Sequence, residues 1–266
     1  MNRPRILCAC FAAGFSIFVG AFACAADPAP EPTLEKLNAS VWLHKSYEIV
    51  EPWGPVLSHG IIVKTADDQL VLIDTAWNDP DTNRLLDLIS TEFGAPPGAA
   101  IVTHAHNDKM GGVAALHAAN VPTFAHAHSN ADAPGRGLTP AKYDLSDSKA
   151  KSGKSALLLT HKKFAPKDGS IELFYPGPGH SRDNIVVYHP ATKTLFAGCL
   201  VRPGGAKSLG NTADGDIDAW ADTVRRVGER FPDAQTIIPS HGAPGGRELL
   251  THTIALAEAE AKKKPQ

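Results

Sequence analysis

The stretch that most restricts how this chain can fold is Thr103-His104-Ala105-His106-Asn107-Asp108-Lys109-Met110-Gly111-Gly112. It follows directly on an apolar run, residues 99–102, short enough to be a buried strand. A strand ending there opens into a loop that projects His104, His106 and Asp108 from a short piece of backbone. Neutral imidazole and carboxylate are donors for a borderline-soft divalent metal. The two glycines behind them let backbone approach closely. The stretch reads as a metal site in a catalytic loop. One such loop cannot close a coordination sphere, so the fold must bring further donors from elsewhere in the chain.

The rest of the sequence offers them. Residues 41–49, 61–63 and 70–73 read as strands, and Trp53 lies on the Pro-Gly loop between the first two. Residues 82–93 have helical spacing at Leu85, Leu86, Leu88 and Ile89, with Gly94 behind them. A short helix is expected over 112–119 and a strand over 121–124. Residues 134–154 are polar and lysine-rich and are expected to be the least regular part. Strands then follow over 171–175, 185–188, 194–196 and 236–239, and helices over 217–231 and 248–263. Three turns near strand ends each carry one metal-capable residue: His180, Cys199 and His241. Strands and helices mix in both halves with no long linker, which argues one α/β domain. A chain of 266 residues, 43% hydrophobic, is ample for its core.

Six candidate donors suit two ions. Three histidines leave a fourth position for water, as at a hydrolytic zinc. Aspartate, cysteine and histidine make a softer site, and thiolate favours zinc over magnesium or calcium. Two zincs about 3.5–4 Å apart can share a water and hold both the attacking and the leaving atom. The remaining eight histidines (His44, His59, His117, His126, His128, His161, His189 and His252) show no partner pattern and read as surface or simply hydrogen-bonded side chains.

The amino terminus has a separate logic. Arg3 and Arg5 precede an apolar stretch that ends in Ala23-Cys24-Ala25-Ala26, so residues 1–26 read as a secretory signal peptide and the protein as periplasmic. Cys24 is alternatively the site of a lipid anchor. Residues 27–40, opening on a proline-rich run, are expected to form a flexible leader, and 41–266 a single domain. Cys8, Cys10 and Cys24 fall in the signal, which leaves Cys199 unable to form an internal disulfide. A net charge of -2 implies no polyanion-binding surface, hence no nucleic acid. The mature part has no apolar run long enough to span a bilayer.

Together His-Ala-His-Asn-Asp-Lys-Met-Gly-Gly, Gly179-His180, Gly198-Cys199 and Ser240-His241 resemble the class B metallo-β-lactamases, in the subclass with a cysteine at the second zinc. Within that subclass the chain resembles the New Delhi and Verona types. The resemblance spans roughly residues 41–257, including Ile73-Asp74-Thr75-Ala76-Trp77 and Ala206-Lys207-Ser208-Leu209-Gly210-Asn211. It implies an αββα sandwich with two Zn²⁺ ions in a groove at one edge of its sheets. His104, His106 and His180 would hold the first ion, and Asp108, Cys199 and His241 the second. It further implies a monomer that opens the amide of penicillins, cephalosporins and carbapenems with a zinc-activated water, its partner being the small-molecule β-lactam.

By the same resemblance Asp108 orients the nucleophile and Asn211 assists at the oxyanion, although Asn211 also suits a plain turn. A cation should meet the substrate carboxylate. Many relatives have lysine three residues after the cysteine, whereas this chain has Arg202, with Lys207 as the other candidate. Trp53 would tip a flap over the substrate. Trp77 would line the groove, or equally pack in the core. Glyoxalases, lactonases and metallo-nucleases of the wider superfamily usually carry a ligand histidine after the motif aspartate. Lys109 stands there, and a cation cannot ligate, so Cys199 supplies the missing donor. A lactonase-like hydrolase of the same fold and a non-catalytic exported zinc-binding protein remain the alternatives.

Overall fold

The computed structural model describes residues 28–149, 155–158 and 170–263. The expected signal peptide, Cys24 and His161 lie outside the described residues. Strands β1 (Thr33–Lys36), β2 (Val41–Val50), β3 (Gly54–Lys64), β4 (Leu70–Ile73), β5 (Ala99–Val102), β6 (Thr123–Ala125) and β7 (Tyr143–Asp144) form one sheet in chain order. It is antiparallel from β1 to β4 and parallel from β4 to β7. The second sheet contains β8 (Ser146–Lys149), β9 (Ser155–Leu158), β10 (Glu172–Phe174), β11 (Val186–His189), β12 (Thr194–Gly198) and β13 (Thr236–Pro239), in the order β13-β12-β11-β10-β9-β8. Its only parallel pair among the described residues is β12 with β13.

The side-chain alternation of the strands explains the layering. Val41, Leu43, Ile61, Val63, Val71 and Ile73 point inward and meet Leu173, Val187, Phe196 and Ile238 of the second sheet. The intervening Trp42, Ile62, Leu70 and Leu72 point outward, against Leu85, Leu86 and Ile89 of α1 (Asp79–Phe93) and Leu116 of α3 (Val113–Ala118). On the other side, Val186, Leu195 and Ile237 pack on Trp220, Val224 and Val227 of α5 (Ile217–Arg230) and on Leu249 and Leu250 of α6 (Glu248–Ala261). Strands buried on both faces, each covered by helices, make the αββα sandwich. Helix ends follow local chemistry. Asn78 caps α1 by accepting from the Asp81 amide at 2.9 Å, and Gly94 ends it at φ 75°.

Three expectations need correction. Within the supposed flexible leader, Thr33–Lys36 pairs with β2, Thr33 opposite Lys45 and Lys36 opposite Trp42. The long β2 edge supplies a ladder that the short, largely exposed β1 segment could not advertise by its own pattern. Residues 134–154, expected to be the least regular, contain β7 and β8, the edge strands of the two sheets. Between β5 and α3, a single turn of helix, α2 (Asn107–Met110), carries Asp108, so the aspartate is helical and not in the loop. Among the described residues no helix is long and apolar enough to cross a membrane.

Candidate metal centre

The six candidate donors come from strand ends, from the turn before β11 and from α2, which the two sheets bring to one edge. His104 follows β5, Cys199 follows β12 and His241 follows β13. His180 sits in the turn between β10 and β11, and its ring packs edge-on to Trp220 at 5.7 Å between centroids. Gly198 turns the chain at φ 58° beside a register shift in the β12–β13 pairing, which delivers Cys199 into the groove. The glycines after the aspartate are required by close approach. A Cβ on Gly111 would lie 2.0 Å from the Trp77 carbonyl oxygen, and one on Gly112 1.8 Å from Thr82 Oγ1.

Three ring nitrogens converge first. His106 Nδ1 lies 3.0 Å from His104 Nε2 and 3.0 Å from His180 Nε2. The outer Nε2 of His106 faces the Asp214 carboxylate at 2.8 Å and so carries the proton, leaving Nδ1 a lone pair. A second triad adjoins it. Cys199 Sγ is 3.6 Å from Asp108 Oδ2 and 3.4 Å from His241 Nε2, and the last two atoms are 3.5 Å apart. The carbonyl of Leu57 accepts from His241 Nδ1 at 2.6 Å, which turns Nε2 inward. His104 belongs to both clusters, since its donor atom also lies within 4.8 Å of those of Asp108 and Cys199.

This arrangement fits zinc. Nitrogen donors around a tetrahedral zinc, with bonds of about 2.0–2.1 Å, lie about 3.3 Å apart. Burial, with His106 as neighbour, holds His104 and His180 well below the usual imidazole range, so both are neutral donors. Burial pushes the Cys199 thiol up, helped by Asp108; a buried thiol of this kind is deprotonated by a coordinating cation. Burial alone would also raise Asp108, but Lys109 and His241 beside it hold its carboxyl well below the carboxylate range.

Beneath the donors lies a buried charge cluster. The fully buried Lys109 donates to Ser58 Oγ at 2.6 Å and to the His59 carbonyl at 2.7 Å. It is also 3.3 Å from Asp108 Oδ2 and 3.8 Å from Asp74 Oδ2. Ser58 Oγ bonds Asp108 Oδ2 at 3.1 Å. Asp74, at φ 64°, accepts from the amide and hydroxyl of Thr103 and so fixes the start of the histidine loop. Burial pushes Asp74 up to about 7 against Lys109 and those two hydrogen bonds.

His44 and His59 also lie in this layer, buried rather than at the surface. They donate to the carbonyls of Ile73 and Asp74 and of Pro239. Burial lowers His44 to about 3 and His59 to about 4. Between those values and about 6.5 the unfolded chain binds protons that the native one refuses, so their contribution is intact above about 6.5 and is lost as pH falls. From pH 7.5 to 5 each costs about 2 kcal/mol. Asp74, raised when folded, acts in the opposite sense over part of that range and offsets about one of the two. In zinc-free protein His104 and His180 add to the loss. Urea denaturation of the chelated protein is therefore expected to show a lower midpoint at pH 5 than at pH 7.5.

Arg202 is half-buried, and its guanidinium packs on Gly210, where a Cβ would meet Nη2 at 3.0 Å. Its Nε is buried without a hydrogen-bond partner among the described residues. Burial lowers it. Lys207 is exposed. Asn211 is exposed and accepts from the Ala213 amide at 3.1 Å, the bond of a turn residue. Trp53 is 74% exposed at the tip of the β2–β3 hairpin. Trp77 is partly buried beside Gly111, its indole N–H unpaired among the described residues. Sequence reading missed Asp214, Arg136 and Ser58, which carry no motif and meet the donors only through the fold. Lys109 was read for what it cannot ligate, not for the charge it balances.

Two face-to-face sheets between helix layers bring six candidate donors to one edge, in groups fit to hold a divalent metal. Residues 53–241 match the metallo-β-lactamase superfamily, and the chain belongs to it. A type 2 metallo-β-lactamase of Pseudomonas aeruginosa is 33% identical over 95% of this chain and 92% of its own length. The crystal structure of the metallo-β-lactamase FIM-1 from Pseudomonas aeruginosa, in its mono-zinc form, is 42% identical with a TM-score of 0.78, covering 89% of this chain and 99% of that one. A metallo-β-lactamase from Erythrobacter litoralis, with β-mercaptoethanol in its active site, is 39% identical with a TM-score of 0.79, covering 88% and 99%.

Proposed function

We propose that this protein is an exported, monomeric enzyme that hydrolyses the β-lactam amide of penicillins, cephalosporins and carbapenems at a two-zinc centre. His104, His106 and His180 serve one ion and Asp108, Cys199 and His241 the other, the ligand set of the subclass with a cysteine at the second zinc. The observation that carries this reading is the pair of adjoining donor triads, with spacings of 3.0 Å and 3.4–3.6 Å. When bound, zinc supplies a Lewis acid for the carbonyl and lowers the pKa of water to about 7.

The chain's own groups do the rest. Asp108, held by Ser58 and Lys109, orients the attacking water. Arg202 binds the carboxylate next to the ring nitrogen, its unpartnered Nε and desolvated guanidinium being suited to a charged acceptor. Lys207 is the second cation available to the same carboxylate. Trp53 closes over the substrate from its hairpin, and Trp77 supports the groove wall behind Gly111. Asn211 can reach the oxyanion only by giving up its bond to the Ala213 amide.

The direct test is steady-state hydrolysis of a β-lactam panel before and after EDTA, with zinc added back. Turnover that is lost to EDTA and restored by zinc is expected. Turnover of lactones but not of nitrocefin would instead establish the lactonase-like alternative. Arg202→Ala is expected to raise KM about 10–100-fold for carboxylate-bearing substrates, with a smaller change in kcat, because hydrogen bonds to charged groups contribute about 1.5–3 kcal/mol. An unchanged KM would remove Arg202 from the substrate site.

A further inference from the structure

The four imidazoles of the centre are not braced alike. His241 Nδ1 is held by a backbone carbonyl, His104 Nδ1 has a long 3.4 Å contact to Thr103 Oγ1, and His180 Nδ1 is buried with no partner among the described residues. His106 alone of the four, among the described residues, meets a carboxylate at its outer nitrogen: Asp214 Oδ2, at 2.8 Å. Asp214 lies in the loop between β12 and α5. Two residues on, Asp216 caps α5 and donates its amide to the Gly179 carbonyl beside His180, at 2.8 Å.

Asp214 is itself braced from the other half of the chain. Its Oδ2 is 3.4 Å from the Arg136 guanidinium, on the turn Pro134–Arg136. The same guanidinium donates to the Ala105 carbonyl at 2.8 Å, between the two histidines of the motif. The Ala105 amide donates to Asp183 Oδ2 at 2.8 Å. The backbone between His104 and His106 is thus pinned on both sides, and the His106 ring is pinned at its far nitrogen.

We propose that Asp214, braced by Arg136, is a positioning residue for the first metal. It accepts the proton of His106 Nε2 and so fixes the tautomer whose Nδ1 lone pair faces His104 and His180. Loss of a carboxylate partner behind a ligating imidazole typically costs about 10–100-fold in metal affinity. The inference rests on reading His104, His106 and His180 as donors, but not on the substrate.

The test compares Asp214→Ala and Asp214→Asn with the parent protein. Zinc affinity is measured by competition with a chromophoric chelator. Optical spectra of the cobalt-substituted proteins separate the two sites, because thiolate-to-cobalt charge transfer reports on Cys199. Asp214→Ala should weaken the histidine site by about 10–100-fold, leave the charge-transfer band in place and leave the Tm of metal-free protein unchanged. Asp214→Asn should fall between, since its amide oxygen still accepts but carries no charge. An affinity in Asp214→Ala within about two-fold of the parent, or an equal loss at both sites, would overturn the proposal. A protein showing the expected ranking of affinities without turning over any β-lactam would sink the proposed function and leave the role of Asp214 standing.

Discussion

Replacing Lys109 with methionine should destabilise the zinc-free protein by about 3–5 kcal/mol, the range for removing one partner of a buried ion pair. The ammonium is fully buried, and burial works against it, yet the carboxylates of Asp108 and Asp74 raise it above the usual lysine value. It also stands over the Phe196 ring at 5.9 Å and fills its hydrogen bonds with Ser58 and the His59 carbonyl. Methionine keeps most of the volume and removes the charge. Asp108 and Asp74 are then left in the interior with no cation, and Ser58 and the His59 carbonyl each lose a donor. The penalty should shrink in excess zinc, because a divalent cation at Asp108 takes over part of the compensation. Urea midpoints measured with EDTA and with zinc check both statements. A variant as stable as the parent in EDTA would show that the buried charges balance without Lys109.

What could be read in the sequence follows from how local each signal is. The His104–Asp108 cluster was legible because donors two residues apart must share one loop, whatever the fold does next. His180, Cys199 and His241 were legible because each follows a short apolar run into a turn of small residues. The layering came only through the resemblance, because runs such as Val41-Trp42-Leu43 and Ile61-Ile62-Val63 are apolar throughout and do not show which side chain enters the inner and which the outer core. β1 was not, because its pairing energy comes from β2 and its own side chains are largely exposed. The burial of His44 and His59 was not, because their acceptors are backbone carbonyls of Ile73, Asp74 and Pro239, which no residue type announces. Asp214 and Arg136 are 78 residues apart and meet only across the groove. The burial of Lys109 was hidden for the same reason, its partners lying on β3 (Ser58 and His59) and just past the end of β4 (Asp74).

Cys199→Ser should reduce bound zinc from two ions to one and lower β-lactam hydrolysis by at least about 100-fold, more than an outer-sphere change typically costs. The reasoning starts from acidity. Burial and Asp108 hold the metal-free thiol protonated, so it donates weakly to Asp108 Oδ2 at 3.6 Å. A soft divalent cation reverses this and leaves a thiolate donor. A serine hydroxyl is a harder and far weaker acid, so the second triad keeps only Asp108 and His241, too few to hold zinc through dialysis. Stability without metal should change by about 1 kcal/mol, because the hydroxyl is smaller than the thiol but can still donate to Asp108. That contrast separates a lost ligand from a damaged fold. Metal content after dialysis and initial rates on nitrocefin measure the two effects. Full activity with one zinc retained would mean that the histidine triad suffices for turnover and that Cys199 is only a buried thiol beside it.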